Sequence, residues 1–258
     1  MLSLERQEEI LDILNKNKSA TVEQLASELF VSGATIRRDL RSMEKQGLIK
    51  RTHGGAMLYN PSAEESAFAL REQENINAKR TIANLAVRLI NNGDSVFLDS
   101  SSTVGFIIPL LNNFNYLSVI TTGLRNALLL SQTNNVKIYI TGGQIHNHSN
   151  SIFGTDTMDF ISRIHANISI ISCTGLDLEH GFTDSSIEQA NLKQQMRKNS
   201  DKIAILCDST KFNKIFLCKD FDFNQVDYLI TDKLPPNEYI EKIASTNCKL
   251  ITPETLEF

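Results

Sequence analysis

The stretch VSGATIRRDLRSMEKQGLIKRTHGGA, running from Val31 to Ala56, carries three signals in order. Ser32 is placed to cap a helix through residues 34 to 46. At about 100° per residue, Ile36, Leu40 and Met43 share one face of that helix, while Arg37, Arg41 and Lys45 form a stripe away from it, with Arg38 alongside. Gly47 ends the helix, and residues 48 to 56 alternate apolar and polar before paired glycines, the pattern of a small β-wing. One helix face packs; the other is cationic.

Working outward toward the N-terminus, Thr21-Val-Glu-Gln24 is a capping box, and Val22, Leu25, Ala26 and Leu29 follow at helical spacing. Leu4, Ile10, Leu11 and Leu14 mark an earlier helix that breaks at Lys16 to Ala20. The short connection from Phe30 to Gly33 then makes the second and third helices a helix-turn-helix with a wing. Such a unit reads base edges from the start of its third helix, so Ser32, Thr35, Arg37 and Arg38 are the expected base-edge contacts. Arg41 and Lys45 face the phosphate backbone, and Lys50, Arg51 and His53 follow the backbone or enter the minor groove. Thr21 and Thr52 complete the expected DNA-contacting set. A charge run alone is more often a solvated helix face; here the cap, the apolar period, the tight turn and the basic stripe occur together in the right order.

The chain as a whole has 258 residues, 41% of them hydrophobic and 22% charged, a globular composition with room for two unequal domains. Net charge is −4, yet residues 33–52 set six lysines and arginines against only Asp39 and Glu44. A local basic patch of this kind is the electrostatic footprint of nucleic-acid binding. No signal-peptide pattern opens the sequence and no apolar run approaches a membrane span, so a cytoplasmic location and no membrane partner are expected. The four cysteines, Cys173, Cys207, Cys218 and Cys248, lie far apart without a CxxC pair, which reads as reduced thiols rather than a zinc site or a disulfide framework.

Downstream of a linker or helix entry at residues 59–75, the segment from Ala69 to Asn92 is helix-rich, and short apolar runs then alternate with helix-like segments. That is the order of a mainly parallel sheet flanked by helices. Domain limits of 1–58 and 76–258 follow. Each strand candidate runs into a polar end: residues 95–98 into Asp99 to Thr103, 117–120 into Thr121-Thr122-Gly123, and 136–140 into Thr141-Gly142-Gly143. Residues 168–171 run into Ser172 to Gly175, and 203–206 into Cys207 to Lys211. Open α/β sheets bind ligands beyond their strand C-termini. Ser101, Ser102 and Thr103 offer hydroxyls and amides to a phosphate, Asp99 accepts from sugar hydroxyls, Gly142 and Gly143 let backbone approach, and Lys211 supplies a compact cation. Thr122, Gly175 and Asp208 join that set by position. Ser/Thr loops are often plain helix caps and paired glycines plain turns. His146 and His148 lack a third ligand at recognisable spacing, so no metal and no cofactor are expected.

The stretch from Val31 to Ala56 resembles the N-terminal domain of DeoR-family regulators, in which a TIRRDL-type recognition helix is followed by THGGA. The similarity continues through GDSVFLDSSST (93–103), ITGG (140–143), TGLDLEHGFT (174–183) and CDSTKF (207–212). Thr122 stands where asparagine is usual in the family, and His146 where arginine is common. The resemblance implies a winged helix-turn-helix followed by a larger α/β domain of ribose-5-phosphate isomerase-like fold. It also implies a non-enzymatic repressor of a carbohydrate-metabolism operon. Its partners would be double-stranded operator DNA, a phosphorylated sugar or polyol, and further copies of the chain in a homodimer or homotetramer. Two alternatives compete: a sugar-phosphate isomerase-like enzyme with an accessory DNA-binding domain, since Asp99 and Asp208 could serve acid-base chemistry, and an architectural DNA binder with a vestigial pocket.

Overall fold

The computed structural model describes residues 3–17, 19–45, 48–52, 54–58 and 68–256. The chain divides into two compact units, Met1–Arg71 and Glu72–Phe258. Much of the expected linker, residues 59–67, lies outside the described residues, as do Gln46, Gly47 and His53 and the side chain of Lys45.

The first unit runs α1 (Ser3–Asn17), β1 (Ser19–Thr21), α2 (Val22–Glu28), α3 (Gly33–Lys45), β2 (Ile49–Arg51) and β3 (Gly55–Leu58). The capping box forms: Thr21 Oγ1 accepts from the Gln24 amide at 3.1 Å, and Gln24 Oε1 accepts from the Thr21 amide at 2.8 Å. Ile36, Leu40 and Met43 of α3 are buried with Ile10 and Leu14 of α1 and Leu25 of α2. The wing strands β2 and β3 pair antiparallel, and β1 adds to the other side of β3. The sequence reading missed β1, because three residues become a strand only through a neighbour about 35 positions away, and the apolar period gives no notice of it. Gly55 shows why that pairing needs glycine: a Cβ there would meet Ala20 O at 2.1 Å and Thr21 Cα at 2.6 Å. Between α2 and α3, Val31 donates its amide to Ala26 O at 3.1 Å, closing a Schellman-type turn around Phe30, whose φ is 53°.

The second unit begins with α4 (Phe68–Gln73), which spans the division, and α5 (Ile76–Ala86). There follow β4 (Ser95–Leu98), α6 (Ser102–Gly105), β5 (Leu117–Thr121), α7 (Leu124–Leu130), β6 (Val136–Ile140), β7 (Gln144–His146), β8 (Ser151–Phe153) and α8 (Thr155–Ser162). The remainder is β9 (Ala166–Ser172), β10 (Gly175–Asp177), β11 (Gly181–Asp184), α9 (Ile187–Lys198), β12 (Ser200–Leu206), β13 (Cys218–Phe221), β14 (Tyr228–Ile230), α10 (Asn237–Ala244) and β15 (Lys249–Ile251). Seven strands form one sheet in the order β15-β14-β12-β9-β4-β5-β6, and every pairing in it is parallel. The expected strands are therefore found within a few residues of their expected limits.

Strand alternation sorts side chains into two apolar layers. Val96, Leu98, Ile168, Ile170, Ala204 and Leu206 pack with Ile82 and Ala86 of α5. Phe97, Ile171, Ile203 and Ile205 pack on the opposite side with Leu192 and Met196 of α9. The near-continuous apolar runs of β4, β9 and β12 are what burial on both faces demands. From β4 the chain steps outward through β5 and β6, then returns to place β9 on the other side of β4. The order of strands thus reverses between β4 and β9, which opens a crevice beyond their carboxyl ends.

Candidate functional site

In the first unit, Arg37, Arg38 and Arg41 of α3 and Lys50 of β2 are exposed, and none of them makes an ion pair with a described residue. With Val22 and the wing's Arg51 and Thr52, the side chains of Arg37 and Arg41 line a cleft of about 390 Å³. Other members of the expected set have internal partners. Ser32 Oγ accepts from the Thr35 amide at 3.2 Å and meets Thr35 Oγ1 at 2.9 Å, so both serve the start of α3. Thr21 is occupied by the capping box, and Arg51 Nε is 2.9 Å from Glu44 Oε2, tying the wing to α3. Thr52 is exposed in the wing turn and its amide donates to Gly55 O at 3.0 Å. The sequence reading also passed over Asp39. Although it sits in the basic helix, its carboxylate is buried and takes Nε and Nη2 of Arg6 at 2.6 and 3.2 Å. The signal was there: Asp39 is one turn from Ile36 and next to Leu40, on the packed side of α3.

In the second unit, Asp99 ends β4 and is a clamp. Its Oδ1 accepts from the Ser101 amide and its Oδ2 from the Ser172 amide, each at 2.9 Å, which ties the two sides of the crevice together. Ser101 caps α6 through the Val104 amide at 3.3 Å. Past them lie four hydroxyls of a different kind. Ser102, Thr103, Thr122 and Thr141 are all buried, at most 5% exposed, and none of their hydroxyls hydrogen-bonds to a described residue; that of Thr141 is fully enclosed. Buried polar groups are nearly always paired, with protein, water or ligand. These four sit at the ends of three adjacent strands, β4, β5 and β6.

On the opposite side, Lys211 reaches back over the end of β9, donating from Nζ to Ser172 Oγ at 2.9 Å and Cys173 O at 2.7 Å. Asp208 Oδ2 is 3.9 Å from the same ammonium, and Asp208 Oδ1 accepts from the Thr210 amide and from Asn75 Nδ2 at 3.1 and 3.3 Å. Burial raises the Asp208 pKa, but Lys211, the Thr210 hydroxyl and amide and Lys79 outweigh it and hold the carboxyl below its usual range. At ~4.8 Å per strand, β12 and β6 are roughly 19 Å apart. Lys211 Nζ, held over the end of β9, is one strand from the end of β4, two from β5 and three from β6. Gly143 (φ 135°) has a packing reason of its own, since a Cβ would meet Phe153 O and Thr157 Oγ1, both at 2.4 Å. Gly175 lies inside β10, where a Cβ would meet Lys214 O at 2.4 Å. Thr157 Oγ1 donates to Gly142 O at 2.6 Å.

Under the crevice lies a buried layer that the sequence reading did not find. Gln189 of α9 donates from Nε2 to Ser151 Oγ at 2.7 Å and to Ser100 Oγ at 3.2 Å, and the two serines bond to each other. One turn later Lys193 is ion-paired with Asp184 and lies 3.8 Å from Asp99. Burial pulls Lys193 down, but Asp184, Asp220 and Asp99 more than reverse this and hold it charged well above the ordinary lysine range. Burial and the neighbouring Asp184 push the Asp220 carboxyl pKa up beside that pair. The sequence signal was Gln189 and Lys193 four apart on an otherwise apolar helix face with Met196.

Among the described residues no group of three or more His, Cys, Asp or Glu could hold a metal ion, and no helix is long and apolar enough to cross a membrane. A family model described as the DeoR-like helix-turn-helix domain matches residues 6–62, and one described as the DeoR C-terminal sensor domain matches residues 74–233. The HTH-type transcriptional regulator GolR of Listeria innocua is 36% identical over 90% of this chain and 91% of its own. The HTH-type transcriptional repressor GlcR of Bacillus subtilis is 31% identical over 98% of both chains. Among solved structures, ribose 5-phosphate isomerase A of Methanocaldococcus jannaschii is similar over 54% of this chain and 55% of that one, with 15% identity and a TM-score of 0.40.

Proposed function

The chain belongs to the DeoR family of helix-turn-helix transcriptional regulators, and from that premise we propose that it represses a carbohydrate-metabolism operon under the control of a phosphorylated sugar or polyol. The first unit holds double-stranded operator DNA through Arg37, Arg38, Arg41 and Lys50, the exposed cations that no described residue neutralises. The observation that carries the effector reading is the set of hydroxyls of Ser102, Thr103 and Thr122, which bond to no described residue and follow the ends of β4 and β5, with Lys211 held over the end of the neighbouring β9. A polyol satisfies such groups as both donor and acceptor, and a phosphate ester places its charge at Lys211. Asp99, with both oxygens already holding backbone amides, fixes the loops that frame the ligand.

Regulation requires the effector to bind the DNA-competent and DNA-incompetent states unequally, because equal affinity shifts neither population. A ligand that engages loops on both sides of the crevice favours whichever state brings Lys211 and the β4 hydroxyls into joint reach. The regulator acts as a homo-oligomer, since one helix-turn-helix covers a single half-site.

Fluorescence anisotropy on DNA from its own upstream region, at fixed salt and with a panel of phosphorylated sugars and polyols, tests the reading. One compound should change the affinity, and Lys211→Ala should abolish that response while leaving ligand-free DNA binding intact. DNA binding indifferent to every compound, with no ligand-induced thermal shift, would remove the effector half of the proposal.

A further inference from the structure

The seven-stranded sheet stops at β6, and among the described residues no strand pairs with its outer edge. A parallel sheet normally has both faces covered. Val136 and Ile138 are half-buried on one face, but Lys137 and Tyr139 on the other are exposed, as is Ile140. Ile145 of the following strand and Leu128 of α7, which packs beside β6, are exposed as well. Natural edge strands are usually blunted by proline, bulges, several charges or a covering element. Here the run from Ser131 to Gln144 contains no proline and one charge, Lys137, and the pairing of β6 with β5 is regular over all five residues.

We propose that β6 is the seam of a homodimer, in which two copies pair antiparallel about a two-fold axis at Ile138 and join their sheets. The strand is complementary to itself in that register. Ile138 lies opposite its own copy, Val136 opposite Ile140, and Lys137 opposite Tyr139, so each apolar residue meets an apolar one and the single cation meets an aromatic side chain rather than a like charge. A two-fold contact is isologous by nature and gives two DNA-reading units per particle, as a repeated half-site requires.

Substitutions at Tyr139 discriminate the register, because the side chain is exposed and the folded monomer does not depend on it. Tyr139→Lys places lysine opposite Lys137 twice per dimer, whereas Tyr139→Glu places a carboxylate there. In sedimentation equilibrium of the full chain, Tyr139→Lys should weaken the dimer roughly tenfold or more while Tyr139→Glu keeps it within a few-fold of the unsubstituted protein. Lys137→Cys and Tyr139→Cys supply the second measurement. Mixed together and treated with a thiol oxidant they should cross-link to a heterodimer, and each alone should cross-link far less. A monomer at all concentrations, equal effects of the lysine and glutamate substitutions, or the absence of the mixed cross-link would each overturn the assignment.

Discussion

Replacing Asp39 by asparagine removes the charge that Arg6 was buried to meet. The pair is bidentate, at 2.6 and 3.2 Å, and its side chains are 7% and 2% exposed. Breaking a buried pair from one side costs about 3–5 kcal/mol. In a unit of this size ~1 kcal/mol moves the melting midpoint by about 4–8 °C, so the first unit should melt roughly 12 °C lower or more. Circular dichroism melts of the full chain, read beside DNA anisotropy below and above the new transition, measure both consequences. The paired replacement Arg6→Met with Asp39→Leu should recover most of the stability, since it buries no charge at all. If Asp39→Asn costs less than about 1 kcal/mol, or the double variant is as unstable as the two singles combined, the pair is not what fixes α3 against α1.

Arg37→Ala and Arg38→Ala should each weaken specific DNA binding with no change in melting. For each arginine that pairs with a phosphate, its removal should lower the salt slope by about one; unchanged affinity takes that residue out of the interface. Gly55→Ala should unpair β1 from β3 because the clash is with backbone, lowering the stability of the first unit and its DNA affinity together, and a variant that melts like the unsubstituted protein would refute the packing argument. Asp208 has a depressed pKa, so its contribution is fully present above the unfolded carboxylate value of about 3.9 and is lost as pH falls through the lower folded value. Asp208→Asn should therefore flatten the acid limb of the stability curve below about pH 4, measured by denaturant titration, while an unchanged limb would assign acid lability elsewhere.

Elements with a strong period or cap were legible. The capping box at Thr21, the Ile36-Leu40-Met43 face and the central strands all follow from local chemistry. Strands β1, β10, β11 and β13 were not, since each is three or four residues long; β1 and β13 exist by pairing with distant chain, and β10 by pairing with β11. The candidate sites divided in the same way. Strand-end loops announced themselves by composition, but which hydroxyls are spoken for depends on geometry: Ser101 caps a helix whereas the hydroxyl of its neighbour Ser102 bonds to nothing described. Lys193 and Asp39 were hidden because a charged residue in a helix reads as solvated, and only the arrival of Asp184 or Arg6 from elsewhere makes burial tolerable.

The central placement of β4 has a consequence in time. Its pairing with β5 brings Val96 to Val119, but its other edge waits for β9, where the partner of Val96 is Ile168, about 70 residues further along the chain. During synthesis the DNA-reading unit, whose core closes within its own segment, can therefore finish first. The half-sheet β4-β5-β6 follows with both its edges open until β9 emerges. A slowly translated or truncated chain would thus display a finished DNA-reading head attached to a sheet with two adhesive borders, and aggregation at that stage would begin at β4 rather than at the native edge.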